Sequence, residues 1–434
     1  MPPAPASRPE AEFPTLILRP RDARRVQAGH PWVFDGAIES ESPSIEDGAI
    51  VRVEDASHRL IGIGPYNGKS RIRARILARE LVPIDAAFFE RRIRAALSVR
   101  ERFMPQASSY RLLNSESDLV SGLIVDRYED VLVLQIASLG LEQRKSAIVA
   151  ALEKVCAPRA ILERSDGASR RFEGLEEARG LLSGELAPGA GAGGASAPVG
   201  VGEASEAHRL AIRLNGLHFE VDLAAGHKTG LYLDQQVNYE AVARFAKGAR
   251  VLDCFSFLGG FGLHAVRAGA RHVEMLDQSE EAVAASLRNA EANGLAARCE
   301  ARVANVFDWL KTRSKQGGPG GRGESGAYDL IVLDPPSFTR SRSAVPDALR
   351  GYKEIHLRAL RLLAPGGVLA TFCCSHHVDA KTFQDVIQAA AVDARVLLRR
   401  VASYSQSPDH PIVPAIPETE YLKGYAFERI DESA

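Results

Sequence analysis

The chain has 434 residues, a hydrophobic share of 45% and a formal net charge of −1. At roughly 100–200 residues per domain this implies two to four domains, with a core large enough to need no disulfide or metal staple. The balance of 54 Lys+Arg against 55 Asp+Glu excludes a whole-chain basic signature for nucleic acid but leaves room for local patches. Only 10 of the basic residues are Lys. The planar fork of Arg suits phosphate and base recognition, although an Arg-rich genome explains the bias equally well. The five cysteines (Cys156, Cys254, Cys299, Cys373 and Cys374) are odd in number and show no disulfide framework, which points to a reducing compartment. The N-terminus lacks the apolar run of a signal peptide, and no stretch approaches the ~18 apolar residues of a membrane span. The expectation is a soluble, cytoplasmic protein with no membrane partner.

In chain order, residues 1–14 are Pro/Ala-rich and read as a disordered terminus. TLILRP, GAIVRVED, RLIGIGPY and SRIRARIL then read as short strands separated by Gly, Pro and Asp, giving a small all-β module over 15–82. Residues 83–205 read as an α+β domain. They hold a helix over 85–103, a hairpin in GLIVDRYEDVLVLQIA with its turn at Asp126–Asp130, an amphipathic helix in EQRKSAIVAALEKV and a strand in RAILERSD. The Gly/Ala/Pro-rich run 184–205 reads as a flexible insertion, and GGPGGRGESG at 317–326 as a loop. Over 206–434, and clearly from about 250, apolar strands alternate with amphipathic helices. This predicts a parallel α/β sheet covered on both faces, with ligands at the carboxyl ends of its strands.

Local charge shows what the total hides. From Arg59 to Arg102 there are eleven basic and four acidic side chains. In a strand, Arg71, Arg73 and Arg75 would share one face and could bind a phosphate backbone. A solvated edge strand protected by charge is the plainer alternative.

Four segments carry chemistry. Asp253–Gly262 (DCFSFLGGFG) ends a strand and opens a helix, so Phe255, Ser256, Gly259 and Gly260 would bring backbone close to a ligand. Asp277 ends the next strand, 24 residues on, where an acid can hold ribose hydroxyls. The pattern is not G-x-G-x-x-G. An adenosine cofactor without a pyrophosphate, such as S-adenosyl-L-methionine, therefore fits better than a dinucleotide. Asp334-Pro335-Pro336-Ser337-Phe338 follows an apolar strand. Its prolines stiffen a projecting edge from which Asp334 could meet a planar base. A helix-stopping loop is the bland reading. Thr371–His377 (TFCCSHH) puts two adjacent cysteines on opposite faces of a strand end, so one can pack while the other reaches a site. A thiolate there could add to carbon-6 of a pyrimidine. Simple burial of both thiols stays open, and zinc lacks a second ligand pair of finger-like spacing. Finally, Gly226–Gln236 (GHKTGLYLDQQ), with Lys228 and Gln235, reads as a polar lid over the cofactor, or as solvent-facing turn residues.

Taken together, GHPWVF (29–34), NSESDLVSGLIVDRYED (114–130), GHKTGLYLDQQ, VLDCFSFLGGF, VLDPPSF, TFCCS and DHPIVPAIPETEYLKG (409–424) occur in order across about residues 15–430. The ordered set resembles the bacterial class I S-adenosylmethionine-dependent 23S ribosomal RNA cytosine-5 methyltransferases with an N-terminal PUA domain. The resemblance implies an RNA-binding PUA domain, a central α+β domain and a C-terminal Rossmann-like methyltransferase domain. It implies Cys374 as nucleophile, Asp334 as the D-P-P acid, and Asp277 as the ribose acid. It implies Asn305 at the adenine-edge position, where the family often has Asp. The expected cofactor set is then Phe255, Ser256, Gly259, Gly260, Asp277, Asn305 and Gln235, and the expected RNA-binding set Arg71, Arg73, Arg75 and Lys228. Cys373 stands where these proteins often have Ser. Ser337 replaces the second cysteine of two-cysteine enzymes, so product release needs another base.

The implied reaction is methylation of carbon-5 of a cytosine in 23S ribosomal RNA through a covalent Cys374 intermediate. Methyl transfer to an exocyclic base amine, which needs no cysteine, and a non-catalytic RNA-binding assembly factor are the rivals. No metal is implied. The sequence is silent on oligomeric state, with a homodimer among the open arrangements.

Overall fold

Thr15–Leu18 (β1), Trp32–Phe34 (β2), Ile38–Glu41 (β3), Ile50–Glu54 (β4), Leu60–Pro65 (β5) and Ile72–Arg75 (β6) form the N-terminal module of the computed structural model. Residues 13–186, 209–223, 230–315, 326–339 and 341–431 are described, so Lys228 and most of the 184–205 run lie outside them. The four-stranded sheet has the order β3-β1-β4-β5, and β2 pairs with β6. Alternation places Leu16, Leu18, Val51 and Val53 in one core with Val33, Ala74 and Ile76. The module is not all-β: Pro20–Gln27 (α1) is a helix with proline in its first turn, burying Ala23 and Val26. Its Arg-rich outer face masked that short apolar stripe in the sequence.

The middle region holds Ala86–Phe103 (α2), Ser109–Asn114 (β7), Leu123–Tyr128 (β8), Val131–Ile136 (β9), Leu139–Glu142 (α3), Lys145–Cys156 (α4), Ala160–Ser165 (β10) and Ala178–Gly184 (β11). They build a five-stranded sheet in the order β11-β10-β9-β8-β7. The hairpin turn is tighter than expected. Tyr128 pairs with Val131, Glu129 has φ 54°, and Asp126 lies inside β8, paired with Arg111 at 2.7 Å. Gly184, expected to open the insertion, instead closes β11.

Arg75 corrects the expected three-arginine row. Its guanidinium turns inward, donating to Glu173 Oε1 at 2.8 Å and Ser121 Oγ at 3.2 Å, over the Trp32 ring. Glu173 is 4% exposed, and such a carboxylate needs a cation and donors. Arg71 is exposed and Arg73 half-buried. Arg75→Ala is therefore expected to cost about 2 kcal/mol of unfolding free energy, read from a denaturant midpoint. A loss of RNA affinity with no loss of stability would return Arg75 to an RNA face.

The chain divides into two compact units: Met1–Pro105, Tyr110–Ala187 and Pro411–Thr419 in one, and Gln106–Ser109, Pro188–His410 and Glu420–Ala434 in the other. Pro411–Thr419 thus folds with the N-terminal half. Glu418 meets the fully buried His30 at 3.1 Å and Arg25 at 3.4 Å. Burial is the main cause that keeps the His30 imidazole below its usual pKa.

The second unit opens with a hairpin, Arg209–Leu214 (β12) and Leu217–Asp222 (β13), then Gln236–Ala243 (α5). Arg250–Cys254 (β14), Gly260–Arg267 (α6), His272–Asp277 (β15), Glu280–Ala292 (α7), Cys299–Val303 (β16), Val306–Lys315 (α8), Tyr328–Leu333 (β17), Val345–Leu362 (α9) and Leu363–Cys373 (β18) alternate as expected. Ser279 caps α7, its Oγ accepting from Ala282 N–H. Ala380–Ala394 (α10), Leu398–Tyr404 (β19) and Lys423–Arg429 (β20) finish the unit. The sheet order is β16-β15-β14-β17-β18-β20-β19. It corrects the expectation of an all-parallel sheet: β20 runs antiparallel to both β18 and β19. No helix among the described residues is long and apolar enough to cross a membrane.

Candidate active site

The five parallel strands β16, β15, β14, β17 and β18 end on the same edge of the sheet, and Phe255, Ser256, Gly259, Gly260, Asp277, Asn305, Asp334 and Cys374 lie at or just after those ends. The turn after β14 is wound tightly. Phe255 (φ 63°) and Phe257 (φ 49°) hold left-handed backbone that L side chains adopt at a cost, and Gly259 (φ 84°) caps α6. A Cβ on Gly260 would lie 2.6 Å from the Tyr239 ring, so only glycine fits there. The turn is held by Asp277, whose Oδ2 accepts Phe257 N–H and whose Oδ1 accepts Ser279 N–H, both at 2.9 Å. Each carboxylate oxygen keeps a second acceptor direction, so Asp277 can still receive a diol.

Asp253 lies beneath this turn, 1% exposed. Its Oδ2 accepts Gly262 N–H at 2.8 Å, which closes that first-turn donor to any phosphate. Its Oδ1 and Ser256 Oγ are buried with no protein partner, an arrangement that costs free energy unless a ligand supplies one. Burial pushes the Asp253 carboxyl up to about 8. The unfolded carboxyl titrates near its ordinary value of about 4, so the native state holds the extra proton between the two. Stability contributed by this group is therefore expected to fall as pH rises from about 4 to about 8. Asp253→Asn keeps the acceptor for Gly262 and should remove that part of the slope, as compared by denaturation of both proteins at pH 5 and pH 8. Equal slopes would contradict the buried, protonated carboxyl.

Asn305 follows β16, beside Asp277, whose carbonyl accepts Ala304 N–H at 2.8 Å. Its Oδ1 accepts from Phe307 N–H (3.0 Å) and Asp308 N–H (3.3 Å), so it caps α8. The side-chain carbonyl is thus engaged by the helix start. The amide nitrogen is the end left facing other partners, a donor rather than an acceptor.

Asp334 leaves β17 and Cys374 leaves β18, the neighbouring strand. The Cys374 sulfur lies 4.0 Å from the Pro335 carbonyl oxygen, alongside the D-P-P turn. Cys373, by contrast, is fully buried in the core with Tyr352 and Phe383. His376 and His377 face outward, so the TFCCSHH cluster does not converge on one point.

Gln235, expected in the cofactor set, lies against Asp334. Its Nε2 donates to Asp334 Oδ1 at 3.1 Å. Its Oε1 accepts from Asn238 Nδ2 at 2.7 Å, and Asn238 also donates to the Ser405 carbonyl at 2.9 Å. Both ends of the Gln235 amide are engaged, and Gln235 and Asn238 are almost wholly buried. The pair therefore fixes Asp334. Sequence reasoning missed Asn238: a lone Asn one helical turn after Gln235 is the only local signal. Tyr232 packs edge-on against Phe257 at 5.3 Å, and burial followed by the nearby Asp334 raises its phenol well above the usual range.

The fold and this turn-and-strand-end geometry define a class, the S-adenosylmethionine-dependent methyltransferases. Residues 197–419 match the family model of that description, and residues 16–79 match a PUA-like domain. A methyltransferase crystallised with SAH has the same fold (TM-score 0.77, 20% identity, covering 95% of this chain and 99% of that one). So has a SAM-dependent methyltransferase from Streptococcus mutans (TM-score 0.75, 20% identity, 95% and 99%). "Ribosomal RNA large subunit methyltransferase I" of Klebsiella pneumoniae is 37% identical over 95% of this chain and 98% of its own length. The protein of that name from Photobacterium profundum is 38% identical over 92% and 94%. The chain belongs to this ribosomal RNA large subunit methyltransferase I family, and its cofactor is S-adenosyl-L-methionine.

Proposed function

We propose that this methyltransferase modifies carbon-5 of a cytosine in 23S ribosomal RNA through a covalent bond to Cys374. The observation that carries this reading is the position of the Cys374 sulfur beside the Asp334-Pro335 turn while Cys373 is buried in the core. A methyl transfer to an exocyclic amine needs the acid but gives no reason for a half-buried thiol at that spot.

In this reading residues 15–82 dock RNA, with Arg71 and Arg73 contacting phosphates, and Lys228 is a separate phosphate contact from the 206–434 domain. Residues 83–205 form the central domain and 206–434 the catalytic one. The target base is splayed out of its stack to reach the strand ends. Asp277 takes the ribose hydroxyls. Asp253 and Ser256 offer their buried oxygens to the polar end of the cofactor, Gly259 and Gly260 let it approach the backbone, and Asn305 presents its amide to the adenine edge. The bound cofactor supplies an electrophilic methyl group on a sulfonium.

Cys374 thiolate adds to carbon-6 of the ring, and the electron pair of the 5,6 double bond moves to carbon-5 and toward N3. Asp334, held by Gln235, acts as the protonated carboxyl: it donates its proton to N3 as negative charge develops there, accepts from the exocyclic amine, and recovers the proton when the ring is restored. After carbon-5 has taken the methyl group, a base removes its proton. The electrons of that C–H bond re-form the double bond, and the carbon–sulfur bond breaks to return Cys374 as thiolate. Ser337 stands where a second cysteine would assist, so the base is another group. The cytoplasm is the compartment this reading requires.

The test is methylation of ribosomal RNA from a deletion strain with purified protein and labelled cofactor, followed by nucleoside mass spectrometry. 5-Methylcytidine is expected. A methylated guanine or adenine amine would overturn the cysteine route.

A further inference from the structure

The next-to-last residue of the segment DHPIVPAIPETEYLKG, Lys423, is one that the reaction above does not use. We propose that Lys423 is the positioning residue of the nucleophile: it pins the turn that follows Cys374 and holds an ammonium group beside the thiolate. The inference rests on the reading of Cys374 as nucleophile.

Lys423 opens β20, and its Cα pairs with Cys373 in the antiparallel register with β18, one residue before Cys374. Its ammonium donates to the Ser375 carbonyl at 2.6 Å and to the Val378 carbonyl at 2.9 Å. These two carbonyls bracket the turn 375–378, whose first residue follows Cys374. Two carbonyl acceptors favour the charged ammonium over the neutral amine. A turn at the end of a strand is otherwise free to move, and a nucleophile must be held to within fractions of an ångström.

Charge is the second half of the argument. An ordinary thiol has a pKa of about 8.5 and is mostly protonated at neutral pH, and a neighbouring cation lowers that value. Tyr232 from the lid segment and Tyr352 from α9 lie near this thiol, Asp334 belongs to the D-P-P turn beside it, and the exposed His376 follows two residues on along its own turn. Glu420 and Asp379 act on Lys423 from its own segment and from the cap of α10. Any negative charge on Asp334 opposes ionisation of the thiol, and Lys423 works against it. Burial lowers the Lys423 ammonium from its usual value, while Cys373 and Cys374 act in the opposite sense. Lys423 takes no proton from the thiol, which loses it to solvent.

The experiment uses the full-length protein without RNA. Iodoacetamide alkylation is followed across pH, with fragment-ion mass spectrometry separating Cys374 from Cys373 and from the half-buried Cys156 and Cys299. Lys423→Met is expected to raise the Cys374 midpoint by about one pH unit and slow its alkylation at pH 7 about tenfold. Lys423→Gln keeps two N–H donors and loses the charge; the same direction of shift is expected, and it serves if the methionine variant does not fold. Lys423→Arg should restore the midpoint to near that of the parent protein. An unchanged midpoint in a folded Lys423→Gln protein overturns the proposal. Because alkylation needs no catalysis, this outcome is independent of the nucleophile reading. Full methylation by Cys374→Ser would overturn that reading and leave the thiol shift as measured.

Discussion

Cys374→Ser is expected to abolish methyl transfer, by about 10³-fold or more, and to leave the affinity for S-adenosyl-L-methionine unchanged in calorimetry. The sulfur lies at the end of β18 while the proposed cofactor contacts lie after β14, β15 and β16, so the substitution touches one function and not the other. A hydroxyl is similar in size but a far weaker nucleophile at neutral pH. Cys373→Ser is the control. That thiol is fully buried, so its replacement should lower stability and leave the chemistry of the folded fraction intact. Normal turnover by Cys374→Ser would remove the covalent route.

Asp334→Ala is expected to lower kcat by about 10²–10⁴-fold, the range for a positioned acid–base or charge-stabilising group, again with little change in cofactor binding. The loss should exceed that of Gln235→Leu, which leaves the carboxyl in place but removes the N–H that orients it. Kinetics of both variants check the order. Equal losses in KM and none in kcat would assign Asp334 to binding alone.

The catalytic half was well marked in the sequence because each β-α pair writes its own local pattern. Apolar runs such as YDLIVL alternate with amphipathic stretches such as SEEAVAASLRNAEANG, and the motifs sit at the junctions. The parity of adjacent strand residues allowed Cys373 and Cys374 to part company, with burial of both left open, and one is buried while the other is half-exposed. What the sequence did not carry is decided by partners far along the chain. Arg75 turns inward because Glu173 lies 98 residues away in sequence and 2.8 Å away in space. Gln235 faces Asp334 across 99 residues, with its amide oriented by Asn238. The antiparallel end of the sheet follows from β20 inserting beside β18, which no periodicity of KGYAFER encodes. Asn305 is a different case: an Asn directly before VFDWLKTRSK is a local N-cap signal, and the side chain does cap α8.

The central claim is that Cys374 becomes bonded to a cytosine during turnover. Incubation of the protein with cofactor and ribosomal RNA bearing 5-fluorocytidine measures this directly, since fluorine at carbon-5 cannot leave as a proton does. The account predicts a denaturant-resistant protein–RNA adduct that maps to the Cys374 peptide and vanishes in Cys374→Ser. Methylation of ordinary RNA by the same preparation, with no adduct on the fluorinated RNA although it binds, would contradict it.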